Sequence, residues 1–149
     1  MTLKTLFERQ LSLLEQLLAL LDREQQQLSA RAPDGAELAS IASRKQQLFE
    51  RIESLETSRL RVQRSLGLGD DLHSTASSAT ASGCLDTWKQ VQEIAQRVYR
   101  LNRLNGDLIR TRMSANQKIL TFLQDSREVT LYRRDGQSGK ARGTLHSSA

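Results

Sequence analysis

Phe7, Leu11, Leu14, Leu18, Leu21, Gln25 and Leu28 follow one another in steps of four and three residues, and all but Gln25 are apolar. That period marks one face of a long helix with a coiled-coil-like seam. Thr2 and Thr5 both suit its N-cap, and Thr5 with Glu8 three residues on has capping-box spacing. Residues 30–35, Ala-Arg-Ala-Pro-Asp-Gly, end the pattern, because proline disfavours a helical residue before it. Asp34 then suits the N-cap of a second helix, with Glu37 at the capping-box position and near the positive end of the helix dipole. Its stripe runs through Leu38, Ile41, Lys45, Leu48, Ile52, Leu55, Arg59, Val62 and Leu66, interrupted only at Lys45 and Arg59, and Gly67 suits the C′ position. Helices over residues 3–31 and 35–66 would each reach roughly 45 Å. Equal lengths and a short turn predict an antiparallel hairpin.

Residues 67–83 lose the periodicity and become Ser/Thr/Ala/Gly-rich, the composition of a flexible linker. A third helix is expected over 85–125, with Trp88, Val91, Ala95, Val98 and Leu101 opening its apolar face and Ile119, Phe122 and Leu123 closing it. Gly106 inside it costs about 1 kcal/mol relative to alanine and is a candidate bend. At roughly 60 Å this helix outruns the hairpin by about 15 Å. Ile119, Leu120, Phe122 and Leu123 would then form an apolar patch of the kind reserved for a partner, with an amphipathic helix its natural complement; the alternative is that the helix ends early, or that its end folds back or dimerises. After Ser126 the run Val129-Thr130-Leu131-Tyr132 is strand-like, Arg133-Arg134-Asp135-Gly136 is a turn signal, and a Gly/Ser/basic tail follows. The expected fold is all-α: a long-helix hairpin plus a third long helix in one coiled-coil-like bundle domain, 1–125. A flexible basic tail, 126–149, carries a short strand-like segment at 129–132.

Composition agrees. The 149 residues include 25 leucines and 14 glutamines against one proline and six aromatics, which favours helices over sheets. The longest apolar run, 17–21, is far short of the roughly 20 residues of a membrane span. Charges at Glu8, Arg9 and Glu15 exclude a signal-peptide core, so a cytoplasmic protein without membrane insertion is expected. The net charge of +5 is uneven: residues 1–125 hold 17 Lys/Arg against 15 Asp/Glu, and 126–149 hold five against two. A dedicated nucleic-acid binder would concentrate more positive charge on its folded part.

The candidate chemistry is sparse. A single Cys84 excludes an internal disulfide, and with only His73 and His146 to help it makes no zinc site. Asp70, Asp71 and His73 cluster in the expected linker, where nothing would fix their geometry, so no enzyme, cofactor or small-molecule substrate is expected. Arg97, Arg100, Arg103 and Arg110 line one side of the third helix, but Asp107 interrupts them and no aromatics alternate for stacking. Trp88 and Tyr99 read as core anchors. Asn102 and Asn105 sit where the stripe would otherwise be apolar; buried, they would need partners and would fix register. Tyr132, beside Leu131 and two arginines, suits a small amphipathic docking element, the alternative being a disordered tail with one incidental aromatic, which composition favours.

Taken in order, the leucine-rich hairpin, Trp88 near the start of the third helix, and Asn102-Arg103-Leu104-Asn105-Gly106-Asp107-Leu108-Ile109 resemble the FlgN family of flagellar export chaperones. The octapeptide looks like that family's N-x-x-N-x-x-L-I, and Leu131-Tyr132-Arg133-Arg134-Asp135-Gly136 is similar to its L-Y-x-x-x-G ending. The resemblance implies a cytosolic, non-enzymatic chaperone. It would hold the terminal helical segments of hook–filament junction proteins, prevent their premature assembly and deliver them to the cytoplasmic domain of the type III export gate. It places cargo binding in the C-terminal part, where the apolar patch Ile119, Leu120, Phe122 and Leu123 lies. It places gate docking at Tyr132 with Leu131. The alternatives are a chaperone of another flagellar subunit, a generic coiled-coil adaptor and, further off, a nucleic-acid-binding helical bundle.

Overall fold

The computed structural model describes residues 2–135, with side chains to residue 127. It contains four helices: α1 Leu3–Ser29, α2 Gly35–Ser65, α3 Leu72–Ala81 and α4 Leu85–Asp135. No strand occurs among the described residues. The protein divides into two compact units, Met1–Asp107 and a second beginning at Leu108, and α4 contributes to both.

In the first unit the helix ends follow local chemistry. Thr2 caps α1, its hydroxyl accepting from the Thr5 amide at 3.2 Å. Ala30 is extended, three residues before Pro33, and stops the helix. Asp34 caps α2 by accepting from the Ala36 and Glu37 amides at 3.0 and 3.2 Å. Glu37 reaches across the turn to pair with Arg23, so it joins the two helices instead of closing a capping box. α2 ends in a Schellman motif: Gly67, at φ +76°, donates to the Arg64 carbonyl and Leu68 donates to that of Gln63.

α3 corrects the expectation of a flexible linker over 67–83. Asp71 caps it by accepting from the Ser74 amide at 2.6 Å. A second Schellman turn at Gly83, φ +67°, has Gly83 donating to Thr80 and Cys84 to Ala79, and leads directly into α4. The buried face of α3 is Thr75, Ser78 and Ala79. No large apolar residue marks that face, and its periodicity is therefore invisible in the sequence.

α1 packs along α2, as the hairpin requires. Leu13, Leu14, Leu17, Leu20 and Leu21 of α1 close on Ile41 and Leu48 of α2 and Val98 of α4. A second cluster joins Leu3 and Phe7 of α1, Ala79 of α3 and Cys84, with Val62, Leu85 and Trp88 packed against it. Beside it a polar network binds three helices. Gln10 donates to Glu56 at 2.7 Å, and Arg59 bonds Glu56, Gln63 and Thr75 while its guanidinium lies 5.8 Å from the Phe7 ring centre. Gln63 also donates to the Gly69 carbonyl and, at 3.1 Å, to Thr75. Arg59, one of the two polar breaks in the α2 stripe, thus joins Gln63 in tying α3 to the hairpin.

The C-terminal expectation also changes. α4 runs on to Asp135, through the run 129–132 predicted as a strand and through 133–135 of the predicted turn. No glycine or proline lies between Gly106 and Gly136. Each added residue then extends an existing helix at the gain of a hydrogen bond, which outweighs the local β-preference of Val129 and Thr130. Residues 136–149, the remainder of the expected basic tail with His146, lie outside the described residues.

Candidate functional site

Within the first unit, Val91, Val98 and Asn105 share one heptad position of α4, and Trp88, Ala95 and Asn102 share another. The apolar members pack on the two clusters: Val98 is buried, and Val91, Ala95 and Trp88 are half-buried. Tyr99, expected as a core anchor, is 67% exposed, because position 99 falls outside both heptad positions. Asn102 is half-buried, and Asn105 has no solvent exposure.

Asn105 is buried with partners on α1. Its Nδ2 donates to the Leu21 carbonyl at 2.9 Å and to Glu24 Oε1 at 3.0 Å. Glu24, itself buried, accepts from Lys45 Nζ at 3.0 and 3.2 Å. One polar layer therefore locks α1, α2 and α4 in register. A slip of α4 would leave the Glu24 carboxylate short of a donor inside the core, a costly state. The apolar spacing of α4 points to Asn105, and nothing in the α1 stripe points to Glu24. Its signal was Lys45, the other polar break in the α2 stripe.

The second unit has the opposite character. Leu108 and Ile109, the last residues of the asparagine motif, are half-buried, but every side chain from 113 to 127 is exposed. Ile119 is 56%, Leu120 54%, Phe122 69% and Leu123 56% exposed. In a helix Ile119 and Leu123 stand one turn apart, Leu120 lies three residues before Leu123, and Phe122 lies three after Ile119. The four predicted contact residues thus form one continuous apolar strip, and Met113, 66% exposed, stands two turns before Leu120. Leu131 and Tyr132 fall within the α4 span, and their side chains lie outside the described residues.

The other reactive groups have structural duties. Arg64 forks onto Asp70, with Nε–O distances of 3.0 and 3.1 Å, and holds its carboxyl below the usual range. Asp71 caps α3, and the hydrogen bonds from Ser74 lower it likewise. Burial pushes the Cys84 thiol up, away from the thiolate a nucleophile needs. Among the described residues no three His, Cys, Asp or Glu gather to hold a metal, and no helix is long and apolar enough to cross a membrane.

The family description "FlgN protein" matches residues 1–140. The flagella synthesis protein FlgN of Salmonella typhimurium is 29% identical over 136 residues, covering 91% of this chain and 89% of its own. That of Escherichia coli K12 is 27% identical over 136 residues, with coverage of 91% and 89%, and that of Proteus mirabilis 27% over 139, with 93% and 91%. No solved structure matches the chain. A match that begins with the capped hairpin and runs past the asparagine motif and Tyr132 takes in every element described above, and the chain belongs to the FlgN family.

Proposed function

We propose that this chain is a cytoplasmic export chaperone of flagellum synthesis. It captures the helical terminal segments of hook–filament junction proteins on the α4 strip Ile119, Leu120, Phe122 and Leu123, keeps them from assembling early, and presents them to the export gate through Leu131 and Tyr132. The observation that carries this reading is the exposed apolar strip, in a chain whose relatives are named flagella synthesis proteins. A soluble helix that leaves four large apolar side chains in water has kept them for a partner. A helical guest would bury about 1,200–2,000 Å² in all, and the cost of ordering it keeps the affinity moderate. Release then requires only competition for the cargo or for the chaperone.

Calorimetry with a purified junction protein tests the strip. Phe122→Asp should weaken cargo binding by at least about tenfold, as loss of a central aromatic anchor does. An unchanged affinity removes the assignment. Tyr132→Ala should leave cargo affinity intact and weaken capture by the gate's cytoplasmic domain in a pull-down. Loss of both, or of neither, removes the division of roles.

A further inference from the structure

α1 and α2 leave on their shared surface two adjoining depressions of about 400 Å³ each. Gln16 and Arg51 line both, so the two make one groove. Its lining repeats every seven residues. Arg9, Gln16 and Arg23 follow one another on α1, facing Arg44 and Arg51 on α2. Exposed small residues, Ser12 and Ala19, lie between them on α1 and Ser54 follows Arg51 on α2, and the edges of Leu13, Leu20 and Leu48 form the base. Arg9 to Arg23 spans about 21 Å, the length of four helical turns. Small side chains let a helix backbone approach closely, and a seven-residue step is the spacing at which a coiled-coil partner presents its flanking charges.

The charge of the groove is unbalanced. No carboxylate lines it. Arg23 pairs with Glu37, but Arg9, Arg44 and Arg51 make no ion pair among the described residues. A second copy seated here would set arginines against arginines. The chain's own C-terminal residues, 126–149, carry five Lys/Arg against two Asp/Glu and are repelled in the same way. No aromatic residue lines the groove to stack on bases, which sets nucleic acid below a helix.

We propose that this groove receives an acidic amphipathic helix of a partner protein, about four turns long, with Asp or Glu flanking a small apolar seam at heptad spacing. It lies wholly on α1 and α2 and stands independently of the cargo strip on α4.

The test titrates the full-length protein with a labelled synthetic helix of about three heptads whose alanine/leucine seam is flanked by glutamates. The same helix flanked by lysines, and a short DNA duplex, serve as comparisons. The glutamate helix should bind and weaken with added salt, and Arg44→Glu/Arg51→Glu, checked for native helicity, should lower its affinity at least about tenfold. Phe122→Asp should bind the glutamate helix as the parent does. Failure of the glutamate helix to bind, equal binding of the lysine helix, or equal binding by the double variant overturns the proposal. Tighter Arg-dependent binding of the duplex overturns it in favour of phosphate. A dimer that Arg51→Glu dissociates overturns it in favour of a second copy.

Discussion

α4 places apolar residues at helical spacing on both sides of Asp107, and the two stretches meet different fates. Before it, Val98 is buried against the leucines of α1, and Asn105 is held without exposure by Leu21 and Glu24. After it, Ile119, Leu120, Phe122 and Leu123 are each more than half exposed. The periodicity is similar; the company is not. An apolar stripe predicts a helix and a preferred face, but what covers that face depends on the rest of the chain, or on another chain. The N-terminal stretch also carries the polar layer of Asn105, Glu24 and Lys45, which specifies one register, and the exposed C-terminal strip is the one proposed to receive a guest.

Substitutions on the two sides should therefore separate stability from binding. The largest effect falls in the covered region. Leu21→Ala, at a side chain with no exposure, should cost about 2–5 kcal/mol in denaturant unfolding, and the folded fraction should bind cargo as the parent does. Next comes Asn105→Ala, which removes two hydrogen bonds and leaves Glu24 to Lys45 alone; a loss of about 1–3 kcal/mol is expected. A loss below a few tenths of a kcal/mol would show that the layer does not lock the register.

A smaller effect depends on pH. The hydrogen bond from Arg59 outweighs desolvation and, with that from Gln10, holds Glu56 below its ordinary 4.5. A carboxyl depressed in the folded state stabilises it fully above the unfolded value, and that contribution is lost as the pH falls through the folded value. Stability should decline on acidification below about 4.5, and Glu56→Gln should flatten that decline. An unchanged acid limb would contradict the role given to the Arg59 network.

The hairpin was legible because α1 and α2 carry long leucine stripes bounded by a proline turn, a capping aspartate and a C′ glycine. α3 was not, because a face of Thr75, Ser78 and Ala79 gives no hydrophobic period, although Asp71 and Gly83 stood at its two ends as cap signals. The run 129–132 misled because local β-preference was weighed without the absence of any breaker between Gly106 and Gly136. The polar lock was half legible. Lys45 and Arg59 broke the α2 stripe at the two places where buried networks sit, but their partners Glu24, Glu56 and Gln63 lie on no stripe and emerge only when the helices pack. The exposed strip was readable as apolar residues; its exposure was a matter of what else the chain brings near.

In the proposed chaperone role the strip is open in the lone protein and covered by cargo. Hydroxyl-radical footprinting of the full-length chain, alone and saturated with a purified junction protein, tests it most directly. Phe122, Leu123 and Ile119 should react readily in the lone chain and become protected on binding, while Leu21 stays protected throughout. Protection of Phe122 before any cargo is added, or equal reactivity with and without it, would contradict the account.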